Sequence, residues 1–174
     1  FQNISDFYFP NAIIKGLKWM GFPGFWNYIL HFILAGMGVF VLLTQLGTNR
    51  LSALFGGLSF ALMPYLITMV VHGHGSQMMT TAWLPWVIWA ILRLYDKTNL
   101  INVGILGIAV GLQLQRAHAQ IAYYTWMAGG LLILLLLLNI HKLQINKPKW
   151  ILFTTIGLIL GLCMAMWIYL PALN

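Results

Sequence analysis

Val70-Val71-His72-Gly73-His74-Gly75-Ser76-Gln77-Met78-Met79 takes the chain from an apolar run into a polar knot and out again. A second knot, Gln115-Arg116-Ala117-His118-Ala119-Gln120, repeats the pattern further on. Imidazole, guanidinium and amide groups find no hydrogen-bond partner in lipid, so at membrane depth they normally face a wet cavity or a functional site. The runs flanking the knots approach the roughly 20 residues that a helix needs to cross a hydrocarbon core. Read outward from the knots, the sequence predicts an all-α, polytopic bundle of about six transmembrane helices, at 25–46, 51–71, 78–95, 100–115, 121–140 and 150–170. The third and fourth are shorter than a full crossing, which draws their knot-side ends toward a cavity below the membrane surface. Pro64 and Pro85 interrupt the second and third, each freeing a carbonyl and bending the axis.

Composition agrees. The 174 residues are 61% hydrophobic and 6% charged, and Asp6 and Asp96 are the only carboxylates. A soluble domain needs far more polar surface. The formal charge of +7 would suggest a nucleic-acid partner in a soluble protein, but here the cations stand mostly in short loops between apolar runs. Nucleic acid is therefore not an expected partner; the lipid bilayer is. Arg50, Arg93, Lys97, Lys142, Lys147 and Lys149 fall on one side, and Lys15, Lys18 and Arg116 on the other. The positive-inside rule makes the first side cytoplasmic. Both ends of the sequence and both knots are then expected on the outer face, and the chain reads as part of a longer protein.

Residues 1–24 form a polar, aromatic lead-in before the six-helix region at 25–174. Pro10 suits the first turn of a helix, and Ile13, Ile14, Leu17 and Met20 would share one face of it. An interfacial helix and an ordinary loop both fit. The pairs Gly107/Gly111 and Gly157/Gly161 are small-xxx-small motifs, which let helix backbones approach closely. Leu131–Leu138 is a low-complexity run that reads as lipid-facing. Cys163 stands alone in an apolar run and reads as packing.

The chemistry is expected at the knots. His72 and His74 form a His-x-His pair that would need His118 or Asp6 to complete a metal site. Without a metal they are hydrogen-bonding groups. Arg116 presents a planar fork suited to phosphate or carboxylate oxygens, and Gln77, His118, Gln120 and Tyr123 stand near it as candidate substrate-binding residues. The alternative for Arg116 is an anchor snorkelling to headgroups. Tyr123, Tyr124, Trp83, Trp86 and Trp126 flank the knots and read either as an interfacial belt or as stacking surfaces for sugar rings or prenyl chains, and His31 is a minor intramembrane candidate. Asp6 is the one carboxylate on the outer side, a candidate general base and a candidate ligand for a divalent metal.

Gly73-His74, Ala82-Trp83-Leu84-Pro85, Gly111-Leu112-Gln113-Leu114, Ala117-His118-Ala119-Gln120-Ile121-Ala122-Tyr123-Tyr124 and the lead-in Phe7-Tyr8-Phe9-Pro10-Asn11 together resemble the YfhO family of bacterial membrane proteins, in matching order along nearly the whole chain. The family usually reads Gly-His-Pro-Gln where this chain has Ala117-His118-Ala119-Gln120, and Arg116 is not part of its pattern. The resemblance implies a GT-C-like fold in the bacterial cytoplasmic membrane. It also implies a glycosyltransferase that moves a sugar from a polyprenyl-phosphate donor to a cell-surface acceptor on the outer face. The catalytic carboxylate would then be Asp6 or a residue of the remaining chain. A transporter or flippase of a lipid-linked or anionic solute, and a non-catalytic membrane scaffold, are the rival readings.

Overall fold

The computed structural model describes residues 8–116, 118–138 and 146–169, and these residues are helical with no strand among them. Nine helices follow in order among the described residues: α1 Phe9–Trp19, α2 Trp26–Gln45, α3 Arg50–Ala61, α4 Pro64–Val71, α5 Gly75–Ala82, α6 Leu84–Asp96, α7 Leu100–Leu114, α8 Ala119–Leu138 and α9 Lys147–Tyr169. The lead-in is therefore a helix, and Pro10 stands in its first turn.

Among the described residues, four stretches are long and apolar enough to cross a membrane: Trp26–Gln45, Arg50–Val71, Ala119–Leu138 and Lys147–Met166. This corrects the expectation of six. The expected span at 78–95 is two helices, α5 and α6, meeting at Trp83 just before Pro85. The expected span at 100–115 is α7, of only 15 residues. The reason is burial. Thr80, Thr81 and Gln113 sit on these segments enclosed by other helices, where protein rather than lipid meets their polar groups. A surrounded helix needs neither full length nor full hydrophobicity.

Contacts at the helix ends set the directions. At the close of α2, Gln45 Nε2 donates to Asp96 at the close of α6 (3.0 Å), so these helices run parallel. Arg93 Nε donates to Asn102 Oδ1 at the start of α7 (2.9 Å). Beyond the other end of α7, Gln115 Nε2 donates to the Met164 carbonyl of α9 (3.1 Å). Tyr95 stands edge-on to Trp150 near the start of α9, with ring centroids 5.1 Å apart. One end of the bundle thus gathers Gln45, Arg93, Asp96 and Trp150, and the opposite end gathers Gln115 and Met164.

The core lies along α6 and α7, where Val87, Ile91, Leu94, Leu106 and Val110 are buried together with Trp150. Half of the leucine-rich run on α8 joins it: Leu132, Ile133, Leu136 and Leu137 pack on this core, while Leu131, Leu134, Leu135 and Leu138 are exposed. The expectation that the run faces lipid holds for one face only. The two small-residue pairs meet each other. A Cβ on Gly161 would fall 3.0 Å from the Gly107 carbonyl oxygen, and one on Gly111 would fall 3.3 Å from that of Gly161. This contact pins α9 to α7 and holds the turn that carries Arg116.

Candidate functional site: a cationic cavity at the Arg116 end

Short local rules place the parts. The backbone N–H of His72 closes α4 on the Thr68 carbonyl, and its imidazole Nδ1 donates to the same oxygen (2.9 Å). Gly73 follows at φ +79, a left-handed conformation that favours glycine. Gly75 opens α5 beneath Tyr28, where a Cβ would lie 2.7 Å from the ring. The first knot is in this way folded down over the start of α2.

Between α1, the start of α2 and this knot lies a cavity of about 480 Å³. Lys15 and Lys18 of α1, Asn27 and Tyr28 of α2, Ser76 of α5 and Arg116 line it. Three cations and several neutral donors share the space, and no carboxylate stands among the described lining residues. Such a lining attracts an anion.

Arg116 is 7% exposed, which argues against a headgroup anchor. Its guanidinium lies 4.6 Å over the Tyr8 ring. Its Nε and Nη1 are buried without a hydrogen-bond partner. A buried charged donor left unmade is expensive. Burial pushes the guanidinium below its ordinary pKa, and Tyr8 and Tyr28 oppose this; arginine stays charged throughout.

Tyr8 is the floor under Arg116, and a relay fixes it. Trp83 Nε1 donates to the Tyr8 hydroxyl (2.7 Å). That hydroxyl lies 3.1 Å from His31 Nε2, and His31 Nδ1 lies 2.7 Å from the Asn27 carbonyl. A carbonyl only accepts, so Nδ1 carries the proton and a neutral His31 accepts from Tyr8 at Nε2. Trp83 is thus interior, not interfacial, and Trp86 likewise turns inward to donate to the Leu34 carbonyl (2.9 Å).

Burial pushes the Tyr8 phenol up to about 12, against the Trp83 hydrogen bond and the Arg116 charge, which lower it. A raised pKa means that Tyr8 contributes its stability below the free phenol value of 10.0 and loses it as pH rises toward 12. The two-unit gap corresponds to roughly 2–3 kcal/mol. Tyr8→Phe is expected to remove one late-ionising phenol from the alkaline absorbance titration and to flatten the fall in unfolding temperature above pH 10. An unchanged titration would mean that Tyr8 is not enclosed.

Of the residues singled out from the sequence, Arg116 alone lines this cavity. His72 and His74 are exposed, Gln77 is half-buried, and the knot contributes Gly73, Gly75 and Ser76 instead. The knots do meet, since Gly73, Gly75 and Ser76 of the first and Arg116 of the second line one cavity; burial lowers the His118 pKa, its own backbone hydrogen bond works the other way, and the charge of His74 lowers it further. Gln120 Nε2 donates to the Tyr124 hydroxyl (2.9 Å), and Tyr123 is exposed beside it. Asp6 lies outside the described residues. Among the described residues, no three of His, Cys, Asp and Glu come together as a metal site would require.

Sequence reasoning missed Lys15 and Lys18 as site residues, because it counted them only as topology signals. Asn27 and Tyr28 gave no signal by spacing; they reach the cavity through folding of the lead-in over α2, and Tyr8 lies beneath Arg116 rather than on the cavity wall.

Among the described residues, fold and site together define an all-helical protein with four apolar stretches of membrane-spanning length and a cationic cavity at one end. No protein-family model matches the chain, no curated protein matches it, and no solved structure matches it.

Proposed function

We propose that this chain is part of a GT-C-like glycosyltransferase of the bacterial cytoplasmic membrane, and that the Arg116 cavity receives the phosphate of a polyprenyl-phosphate-linked sugar. The observation that carries this reading is a buried guanidinium with two unpartnered nitrogens on the wall of a cavity it shares with two lysines. In this reading the four long stretches cross the bilayer, and the α5–α6 pair and α7 run between the two ends of the bundle enclosed by other helices. Arg50, Arg93, Lys97, Lys147 and Lys149 then lie on the cytoplasmic side, and the cavity opens outward.

Transfer requires the acceptor oxygen to attack the anomeric carbon while the bond from that carbon to the phosphate oxygen breaks. The phosphate leaves with the electron pair. Arg116, Lys15 and Lys18 offset that growing charge, and Tyr8 holds the guanidinium plane in place. The acceptor proton goes to a carboxylate, for which Asp6 or a residue of the remaining chain is proposed. His74, His118, Gln120 and Tyr123 stand nearer the opening in this scheme and meet sugar or acceptor. Between this cavity and the opposite end of the bundle lies the apolar α6–α7 core; this favours transfer at a face over passage through the bundle.

The test uses the full-length protein in proteoliposomes with a radiolabelled polyprenyl-phosphate sugar and a mixture of cell-surface polymers. Label moving from the lipid to a polymer is expected. Label crossing the bilayer while still attached to its lipid would replace the transferase with a flippase.

A further inference from the structure

At the Asp96 end a second cavity, of about 560 Å³, opens between α2, α6 and α7. Its walls change chemistry with depth. On α2, Phe40 and Val41 lie about one turn deeper than Thr44 and Gln45. On α6, Trp89 and Arg93 stand four residues apart on one stripe, and Lys97, the residue that ends the helix, joins the same wall, which passes from aromatic to cationic toward the surface. Free phosphate would have no use for the apolar half of such a wall. A lipid matches both halves.

The cationic half is held ready. The Arg93 guanidinium lies 5.1 Å over the Trp89 ring and gives its Nε to Asn102 Oδ1 at 2.9 Å. Asn102 is itself locked, donating from Nδ2 to the Lys97 carbonyl at 2.6 Å. The two Nη groups of Arg93 and the Lys97 ammonium carry no hydrogen bond or ion pair among the described residues. Asp96, which accepts from Gln45 Nε2, lies on the same wall. Among the described lining residues the cations outnumber the carboxylates two to one, which favours an anionic headgroup.

We propose that this cavity is a binding site for one anionic phosphodiester lipid of the adjoining leaflet. Its phosphate rests against Arg93 and Lys97, and an acyl chain runs down past Trp89 to Phe40 and Val41. This site is separate from the Arg116 cavity and does not depend on the transferase reading.

The full-length protein, delipidated in detergent, is offered phosphatidylglycerol, phosphatidylcholine or inorganic phosphate and examined by native mass spectrometry. A retained phosphatidylglycerol is expected, with little phosphatidylcholine and no displacement by phosphate. Lys97→Gln, which removes no side-chain hydrogen bond among the described residues, is expected to weaken retention about fivefold. Arg93→Gln with Lys97→Gln is expected to weaken it further, and Arg50→Gln, outside the cavity at the same end, to leave it unchanged. Equal retention of phosphatidylcholine, or full retention by Lys97→Gln, would overturn the proposal. Displacement by phosphate would also overturn it, in favour of a free-anion site.

Discussion

Arg116→Gln in the full-length protein is expected to lose roughly 10²–10³-fold in sugar transfer, the range for removing one electrostatic contact to a developing charge, without losing stability. The two expectations come from the same atoms. In the unliganded protein, Nε and Nη1 are buried donors with no partner, so the charge costs folding energy that a neutral amide does not. In the loaded site, the same donors meet phosphate oxygens and that cost is returned as binding. Arg116→Lys should recover part of the activity, since a point charge remains while the planar fork is lost. Donor consumption and thermal unfolding, measured on the same preparations, check both halves. A variant that unfolds early, or one that keeps full transfer, would make Arg116 a structural residue.

Gly161→Leu is expected to separate α9 from α7. A Cβ alone at Gly161 would lie 2.6 Å from Val110 Cγ1 and 3.0 Å from the Gly107 carbonyl oxygen. The valine could turn; the backbone oxygen could not. Overpacking of this kind costs about 1–3 kcal/mol, and a full leucine belongs at the upper end. The damage should reach the site. Gln115 and Tyr169 tie the end of α7 to α9, through the Met164 carbonyl and the Leu114 carbonyl at 3.1 and 2.8 Å, and Arg116 is the next residue after Gln115. The control is Gly104→Ala on α7, where an added Cβ meets nothing within 4 Å and the gain in helix propensity is about 1 kcal/mol. Thermal unfolding in detergent should fall for the first and hold or rise for the second. Equal stability would mean that α7 and α9 do not touch through these glycines.

The glycine pairs illustrate how far local reading carries. Gly107/Gly111 and Gly157/Gly161 are visible as helix-contact motifs, because i,i+4 spacing puts two small residues on one face. That they meet each other is a statement about two helices about 50 residues apart, and nothing in either motif names its partner. The same limit governs the cavity. Arg116 stands out in sequence as a guanidinium where lipid would be expected. Lys15 and Lys18 look like ordinary loop cations, and only the packing of α1 over the start of α2 turns them toward the same space.

By itself, then, the sequence determined what each segment is. Its apolar runs, with prolines at the breaks, specify helices of membrane character, and its two polar knots mark the turns where chemistry is to be sought. Hydrophobic burial and backbone hydrogen bonding act over one helix at a time, so they are written locally. Tertiary structure alone decided which helices are surrounded by protein and so fall short of a full crossing. It also decided that Trp83 and Tyr8 are interior, and that of the knot residues Arg116, rather than the histidines, lines the cationic cavity. Those outcomes depend on which surfaces exclude lipid and water from one another, a property of helices brought together from across the chain.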